Sequence, residues 1–311
     1  MRSEIGRRRF LKQASLSMLA LQTATIARDR HSLGMRASAD EALPIQDELL
    51  NLVNKERADA GLGTLKLDDL ACTVAEKHAI EMAEGNFLSH WGRDGHKPYQ
   101  RYSFAGGTDA IEENDGATDH GDPVASEEFT SDLIGLHQSM FDEFPPNDGH
   151  RQTILAPQHT HAGFGVALRG NHVRLSELYL ARYVAFDKYS ARGAPKSKFF
   201  LSGRLLDPAY TLTSIDVFYE TLPFPPELPW LKTPRPYGLP DDRETLLIKL
   251  PENTFYETGS RGSIQIHSHG RFRVPIGLTR KQPGIYTVVV WIQKWGMGKP
   301  FPATQVCVRA E

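Results

Sequence analysis

Four residues in the first half of the sequence carry side chains that could together hold a metal ion. They are His90 in FLSHWG, Glu113 in IEENDG, Glu143 in FDEFPP and His150 in NDGHRQTIL. Each lies in a different segment, in a loop or near the end of a predicted helix. Imidazole nitrogen and carboxylate oxygen are the ligands that a borderline divalent metal such as zinc prefers. On spacing alone, however, four dispersed residues are more simply interpreted as exposed surface charge.

Two helices are predicted before the first of these four residues. Apolar residues recur at helical spacing over residues 44–60, and Gly61 is placed to end that helix. Either Asp68 or Asp69 can cap the start of a second helix, which Gly85 would end. His78 lies on the apolar face of this second helix, where a core histidine with satisfied hydrogen bonds is the simplest interpretation.

The rest of the first half alternates between a loop, a helix and strands. The glycine- and aspartate-rich residues 106–123 are typical of a loop. A third helix is predicted over residues 126–144, because Pro145 and Pro146 cannot continue it. The segments AGFGVAL and ELYLARYVAF are then typical of strands.

The composition changes after Tyr189. SARGAPKSK is rich in small and basic residues and indicates a linker between domains. Seven short apolar segments follow, separated by proline, glycine and aspartate, and they predict a β-sandwich of about seven strands. The segments are FFLSGRLL, TSIDVFYE, TLLIKL, SIQIHSH, FRVPIGL, YTVVVWI and TQVCVRA. The proline-rich residues 222–240 predict a long surface loop of that sandwich, whose Phe224, Trp230 and Tyr237 could contact a partner or glycan but are more simply explained by packing.

The N-terminus is typical of an export signal. Arg7 and Arg8 begin RRRFLK, which resembles a twin-arginine signal, and the weakly apolar residues 14–27 that follow are too short to span a bilayer stably. The signal could be cleaved after the small-x-small triplet at residues 37–39 or nearer Ala27, and the sequence leaves both cleavage sites open. We therefore predict a signal segment over residues 1–39 and a periplasmic or extracellular protein exported by the twin-arginine route.

Several consecutive motifs resemble a known family. The order NLVNKERADAGLGTLKLDDL, EMAEGNFLSHWG, EENDG, GHRQTIL and HAGFGVAL is similar to a bacterial domain of the CAP superfamily (cysteine-rich secretory, antigen 5, pathogenesis-related; also called SCP-like), over about residues 44–189. The resemblance implies an α-β-α sandwich with a central cleft. It also implies that two histidines and two glutamates line this cleft and bind a divalent metal in some members.

The resemblance implies that the metal ligands of the family correspond to the four residues named at the outset. His90 matches the histidine after the second helix, Glu113 the acid of a Gly-Glu-Asn motif, and His150 a Gly-His motif. Glu143 matches a glutamate three residues after a tryptophan, with Asp142 as its competitor. The chain departs from the pattern by carrying Glu112 for the glycine and Met140 for the tryptophan.

These patterns together predict an α+β chain. We expect the signal segment at residues 1–39, a CAP domain at residues 42–190 and an all-β, immunoglobulin-like sandwich at residues 197–311. Cys72 and Cys307 then fall in different domains, so a disulfide between them is not expected.

Composition and missing motifs narrow the function. A net charge of −2 and a pI near 6.6 give no global field that would favour nucleic acid. No segment is long and apolar enough to form a stable transmembrane span. No HExxH pair, GxSxG elbow, phosphate-binding loop or dinucleotide fingerprint is present.

Three functions remain open. The first is a binding module for a lipid or cell-envelope ligand, with a cleft site for zinc or another divalent metal. The second is a metal-dependent hydrolase in which Glu113 or Glu143 is the general base. The third is a structural or adhesion protein in which the four residues only brace the cleft. Ligand identity and oligomeric state are left open.

Other polar residues have simpler interpretations. The family resemblance places His159 and His161 beside the cleft, but the simpler interpretation is loop residues before a strand. His267 and His269 are predicted at a strand end. The aspartates at positions 115, 119 and 122 lack the spacing of a calcium-binding loop and indicate a mobile acidic loop.

Overall fold

The computed structural model describes residues 39–233, 235–296 and 298–311. The predicted signal segment lies outside the described residues, apart from Ala39. The chain forms two compact units that alternate along the sequence. Unit 1 comprises the described residues up to Pro98, together with Glu112–Tyr179 and Phe224–Gly238. Unit 2 comprises Tyr99–Ile111, Leu180–Pro223 and Leu239–Glu311.

The first half of the described chain mixes helices and strands. In chain order its elements are α1 (Ala39–Asp59), β1 (Lys66–Leu67), α2 (Asp69–Gly85), α3 (Pro98–Phe104), β2 (Ala110–Asp119), α4 (Ser126–Phe141), α5 (Gly149–Ile154), β3 (His161–Arg169) and β4 (His172–Ala181). The helix start that the sequence left open is settled, because the carboxylate of Asp68 accepts a hydrogen bond from the Ala71 amide at 2.8 Å. Gly85 is the last residue of this helix, and the left-handed residue that caps its end is Asn86, with φ 45°, instead of the predicted Gly85.

The four strands of this half form one sheet in the order β1-β3-β4-β2, with helices on both faces. On one face, side chains of β3 and β4 share a hydrophobic core with α1 and α4, exemplified by Leu49, Leu133 and Phe164. On the other face, α2 lies directly on β3, where a Cβ at Gly163 or Gly165 would collide with the helix. This helix-sheet-helix layering is consistent with a CAP fold.

Two boundaries differ from the prediction. The segment 106–123, predicted as a loop, contains the ten-residue strand β2, most of whose residues are buried. Its glycine, aspartate and asparagine residues have low intrinsic strand propensity, but tertiary context overrides that preference. Helix α4 ends at Phe141, three residues before the predicted end at residue 144.

The second half is built mainly from strands. Its elements are β5 (Val184–Phe186), β6 (Arg192–Gly193), β7 (Lys198–Leu205), β8 (Tyr210–Thr221), α6 (Leu228–Leu231), β9 (Arg243–Leu246), β10 (Gln265–Ile266), β11 (Arg271–Gly277), β12 (Gly284–Lys294), β13 (Phe301–Pro302) and β14 (Val306–Ala310). Each of the seven apolar segments predicted as strands overlaps a strand here. One sheet has the order β10-β11-β7-β5, and a second has the order β6-β14-β12-β8-β9 with β13 beside β12.

Both sheets contribute to one hydrophobic core, which includes Leu201 and Val274 of the first sheet and Ile215, Val288 and Val308 of the second. An immunoglobulin-like topology for this half stays a prediction, as do the domain boundaries near residue 190. The segment predicted as a linker is held by strand pairing inside unit 2, because β6 pairs in parallel with β14.

The proline-rich segment does not belong to the second unit. Residues 224–238 are part of unit 1, although the chain on both sides of them belongs to unit 2. The segment includes the short helix α6, where the sequence predicted only loop. Its side chains pack against α2 and the loop that follows, as described below.

Both cysteines are free and buried. Burial raises the pKa of the Cys72 thiol to about 11, so this group is a poor nucleophile at neutral pH. In the described part of the chain, no helix has the length and apolar character needed to cross a membrane.

Candidate functional site

Two of the four predicted residues, His90 and Glu113, form a directly hydrogen-bonded pair. His90 lies in the loop after α2, and its Nδ1 donates a hydrogen bond to Glu113 Oε1 on β2 at 3.0 Å. The Glu113 side chain is fully buried, and the His90 side chain is 13% exposed. Asp115, two residues further along the same strand, places its Oδ2 at 3.1 Å from the same Nδ1. Burial alone would lower the pKa of His90, but hydrogen bonds to Asp115 and Glu113 raise it to about 9.

Asp115 extends this pair into a buried cluster with His78. Its Oδ2 lies 3.7 Å from Nε2 of His78 on α2. Among the residues that the structure describes, His78, Glu113 and Asp115 form a group whose ligand atoms all lie within 4.8 Å of one another. Burial would raise the pKa of Asp115, but the two histidines hold it well below its usual range. His78 Nε2 also donates to the Ser89 carbonyl at 2.8 Å, as expected for a core histidine with a satisfied hydrogen bond.

The role of Asp115 differs from the prediction. The sequence placed it in a mobile acidic loop, whereas it is a buried strand residue. One signal could have revealed it, because residues i and i+2 of a strand share a face. If Glu113 is placed in a strand, Asp115 must point to the same side.

The other two predicted residues, Glu143 and His150, form a second pair. Glu143 follows α4 and His150 lies in the first turn of α5. His150 Nδ1 donates to Glu143 Oε1 at 2.6 Å, and the His150 backbone amide donates to Oε2 of the same carboxylate at 3.0 Å. The competing residue Asp142 instead accepts a hydrogen bond from Gln138 at 3.1 Å on the exposed side of α4.

Strand β2 runs past both pairs. Glu113 contacts His90, while the side-chain amide of the next residue, Asn114, donates to the His150 carbonyl at 3.2 Å. The four predicted residues therefore form two separate His–Glu pairs, and adjacent residues of strand β2 contact one pair each. That all four side chains share one metal ion stays a prediction.

A residue that the sequence did not assign to the site covers the first pair. The Tyr237 hydroxyl accepts a hydrogen bond from the Glu113 backbone amide at 2.9 Å, and its ring centroid lies 4.7 Å from that of His90. Burial raises the pKa of Tyr237 well above its usual value. Nothing in the sequence connects this tyrosine with Glu113, 124 residues earlier.

The same segment is anchored by aromatic packing on α2 and the following loop. Trp230 meets Trp91 edge to face at 5.3 Å, and Leu231 packs into a cluster with Met82 and Phe87. Phe224, in contrast, is 79% exposed. Two of the three aromatics that the sequence singled out therefore pack against unit 1 residues.

His159 lies near Glu112 and is held neutral. Its Nδ1 donates to the Thr153 carbonyl at 3.0 Å, and its Nε2 lies 3.6 Å from Glu112 Oε2. Burial and the nearby charge of Arg57 lower its pKa to about 3. Burial likewise raises the pKa of the Glu112 carboxyl to about 7. His159 is therefore uncharged at neutral pH, whereas Glu112 is only partly protonated there, and both lie next to α5.

The other predicted histidines and acids lie apart from the two pairs. His161 is the first residue of β3, and its ring forms a hydrogen bond with the Thr160 hydroxyl. His267 and His269 are exposed at the turn between β10 and β11. Asp119 accepts a hydrogen bond from Arg174 at 2.7 Å, which gives it a structural partner.

Another buried histidine, absent from the predicted set, lies between two carboxylates. His137 on α4 donates from Nδ1 to Glu177 at 2.7 Å and from Nε2 to Glu56 at 2.9 Å. The Tyr179 hydroxyl completes the cluster by donating to the other oxygen of Glu177 at 2.8 Å. Burial opposes protonation, but the charge and hydrogen bond of Glu177 and the bond to Glu56 raise the pKa of His137 to about 10. This cluster connects α1, α4 and β4.

Comparison with known proteins identifies the family of this domain. The family model described as "CAP: Cysteine-rich secretory protein family" matches residues 50–183. This range contains both His–Glu pairs and the whole four-stranded sheet. Residues 50–183 therefore form a domain of the cysteine-rich secretory protein family, as the sequence motifs predicted.

Two solved structures share partial similarity with the chain. An extracellular protein containing an SCP domain from Bacillus anthracis str. Ames is 21% identical, with a TM-score of 0.38. The match covers 47% of this chain and 44% of that protein, so less than half of the Bacillus protein is spanned. An outer surface protein from Borrelia burgdorferi is 18% identical over 48% of this chain and 99% of its own length, also with a TM-score of 0.38. No curated protein matches the chain.

Proposed function

We propose that the protein is an exported binding module whose CAP domain holds one divalent metal ion, zinc or a similar cation, through His90, Glu113, Glu143 and His150. The observation that carries this proposal is the geometry of the two pairs. In each pair a glutamate accepts the hydrogen bond of the histidine Nδ1. Metal-ligating histidines typically have one ring nitrogen held by a carboxylate, which fixes the ring and presents the other nitrogen to the metal.

The donor set fits such an ion chemically. Imidazole nitrogens and carboxylate oxygens suit zinc and similar borderline cations. Asp115 adds negative charge on the Glu113 side of the site, which would favour a cation further. When bound, the ion would supply a Lewis-acidic centre.

Binding is better supported than hydrolysis. A hydrolase would need Glu113 or Glu143 as a general base for a water molecule. Both carboxylates belong to the proposed ligand set, and four protein ligands normally close a zinc site, which leaves neither glutamate free for this role. The ligand that we propose is a lipid or another cell-envelope component, with the immunoglobulin-like second half acting as an accessory domain.

Replacing Arg7 and Arg8 by lysine should hold the chain in the cytoplasm as a precursor. Twin-arginine signals are read by a receptor, so lysines that preserve the charge should not substitute for the two arginines. Immunoblotting of cytoplasmic and exported fractions measures this. Lysine at Arg2 and Arg9 is the matched control and should leave export intact, whereas normal export of the Arg7→Lys/Arg8→Lys chain would contradict the twin-arginine route.

Zinc at a hundredfold excess over its Kd should stabilise the full chain by about 2.7 kcal/mol, because a ligand that binds only the folded state adds RT ln(1 + [L]/Kd). Differential scanning calorimetry at pH 7.5 with and without zinc measures the shift in Tm. His90→Ala and His150→Ala should each abolish the shift. Circular dichroism should show that both variants remain folded.

His96→Ala is the matched control, because His96 also pairs with a carboxylate through Nδ1, at 2.9 Å from Asp94, but lies outside the predicted set. This variant should keep the full zinc response. A wild-type chain that shows no zinc response would contradict the metal proposal. It would instead favour the interpretation in which the two pairs only brace the fold.

A further inference from the structure

The outer face of the sheet β10-β11-β7-β5 carries a strip of cations. Along β7 and β11, alternate residues are exposed while their neighbours point into the core. The exposed positions include Lys198, Arg204, Arg271 and Arg273, with Phe200 between the first two along β7. We call these five residues the basic strip.

The register of the strip places like charges opposite each other. Arg271 on β11 pairs directly with Arg204 on β7, and Arg273 pairs with Ser202. Directly opposed like charges destabilise an antiparallel pair. Asp187 offers Arg271 a partner at 3.8 Å, with both side chains 57% exposed. Within the described part of the chain, Lys198, Arg204 and Arg273 form no ion pair, so most of this charge is left for an external anion.

The strip also offers one aromatic surface. Phe200 is 50% exposed, and the Arg273 guanidinium lies 3.7 Å from its ring centroid. This cation–π contact fixes the guanidinium beside the ring. A cation next to an exposed aromatic ring suits a ligand that combines charged groups with apolar ring faces.

The dimensions of the strip favour a linear ligand. Lys198 and Arg204 are six positions apart, which is about 20 Å along an extended strand, while the two strands lie about 5 Å apart. A strip that is long and narrow matches a single polymer chain better than a broad bilayer surface. We infer that the basic strip binds a linear anionic polysaccharide whose charged groups meet the arginines and whose sugar rings contact Phe200.

Sedimentation and titration with dextran sulfate, a linear sulfated polysaccharide, test this inference with the full chain. Binding should weaken steeply as salt rises, because cations that neutralise a polyanion release its counterions. Arg204→Glu/Arg273→Glu should lower the affinity by about tenfold or more at low salt. Both positions are exposed, so circular dichroism and the zinc response should be unchanged.

The control variant changes the net charge by the same amount at a different place on unit 2. Lys294→Glu/Lys299→Glu alters two other exposed lysines and should bind dextran sulfate nearly as the wild type does. Uncharged dextran should not bind. Equal binding by the Arg204→Glu/Arg273→Glu chain, or stronger association with phosphatidylglycerol vesicles than with dextran sulfate, would overturn the inference. These results are independent of the metal proposal.

Discussion

Replacing His137 with leucine should lower the free energy of unfolding by about 3–5 kcal/mol. Leucine leaves Glu56 and Glu177 buried without the cation between them, and removing one partner of a buried ionic cluster costs about this much. Chemical denaturation at pH 7 measures the loss. Adding Glu177→Gln should recover part of it, because the amide removes one of the two unpaired buried charges.

The matched control is His120→Leu. His120 also lies between two carboxylates, at 2.7 Å from Asp132 and 3.5 Å from Glu128, but at the surface, where its side chain is 24% exposed. Exposed ion pairs contribute about 1 kcal/mol or less, so this variant should lose little stability. If the two leucine variants lost equal stability, the buried cluster would not have the charged form described here.

The pH dependence of the His137 effect has a definite sign. Folding raises the pKa of this histidine from 6.5 to about 10. The stability that its protonation contributes is complete below about pH 6.5 and is lost as the pH rises through about 10. The difference in unfolding free energy between wild type and His137→Leu should therefore narrow between pH 7 and pH 10.5. A constant difference over this range would contradict the raised pKa.

Replacing Gly165 with alanine should destabilise the CAP domain by about 3 kcal/mol or more. A Cβ at this position would overlap backbone atoms of Ala75 and Glu76 on α2. Backbone cannot move aside as a flexible side chain can, so the helix would have to move away from β3 and lose its packing. Thermal unfolding of the full chain, compared with wild type, measures the effect.

Gly135→Ala provides a control with the opposite sign. Gly135 is exposed on α4, and a Cβ there would meet nothing within 4 Å. Alanine in a helix is favoured over glycine by about 0.5–1 kcal/mol, so this variant should be slightly more stable than wild type. A neutral Gly165→Ala would show that α2 does not lie as close to β3 as the structure places it.

Local patterns predicted much of this fold. Short apolar segments revealed β7, β11 and β12, whose buried side chains fill a common core. The sequence also contains a signal for the close approach of α2 to β3, because the small residues Gly163, Gly165 and Ala167 lie at every second position and so share one face of the strand. Small residues at such a spacing leave room for a helix backbone. Family motifs, in turn, brought His90 and His150 into the predicted set.

Other features depended on partners far apart in sequence. Strand β2 is rich in residues that favour loops, so its propensity gave the opposite prediction. Tyr237 accepts a hydrogen bond from the Glu113 amide, although the chain passes through unit 2 between these two residues of unit 1. His137 lies between acids that precede it by 81 residues and follow it by 40. No local pattern encodes such contacts, which explains why the sequence predicted the four candidate ligands but not the residues that surround them.

The most direct measurement is anomalous diffraction at the zinc absorption edge from crystals of the full chain grown with zinc. We expect one strong peak bound by nitrogen atoms of His90 and His150 at about 2.1 Å, and its loss in crystals of His150→Ala. A peak only at exposed histidines such as His267 and His269, or no peak at all, would contradict the claim that the two His–Glu pairs together form a metal site.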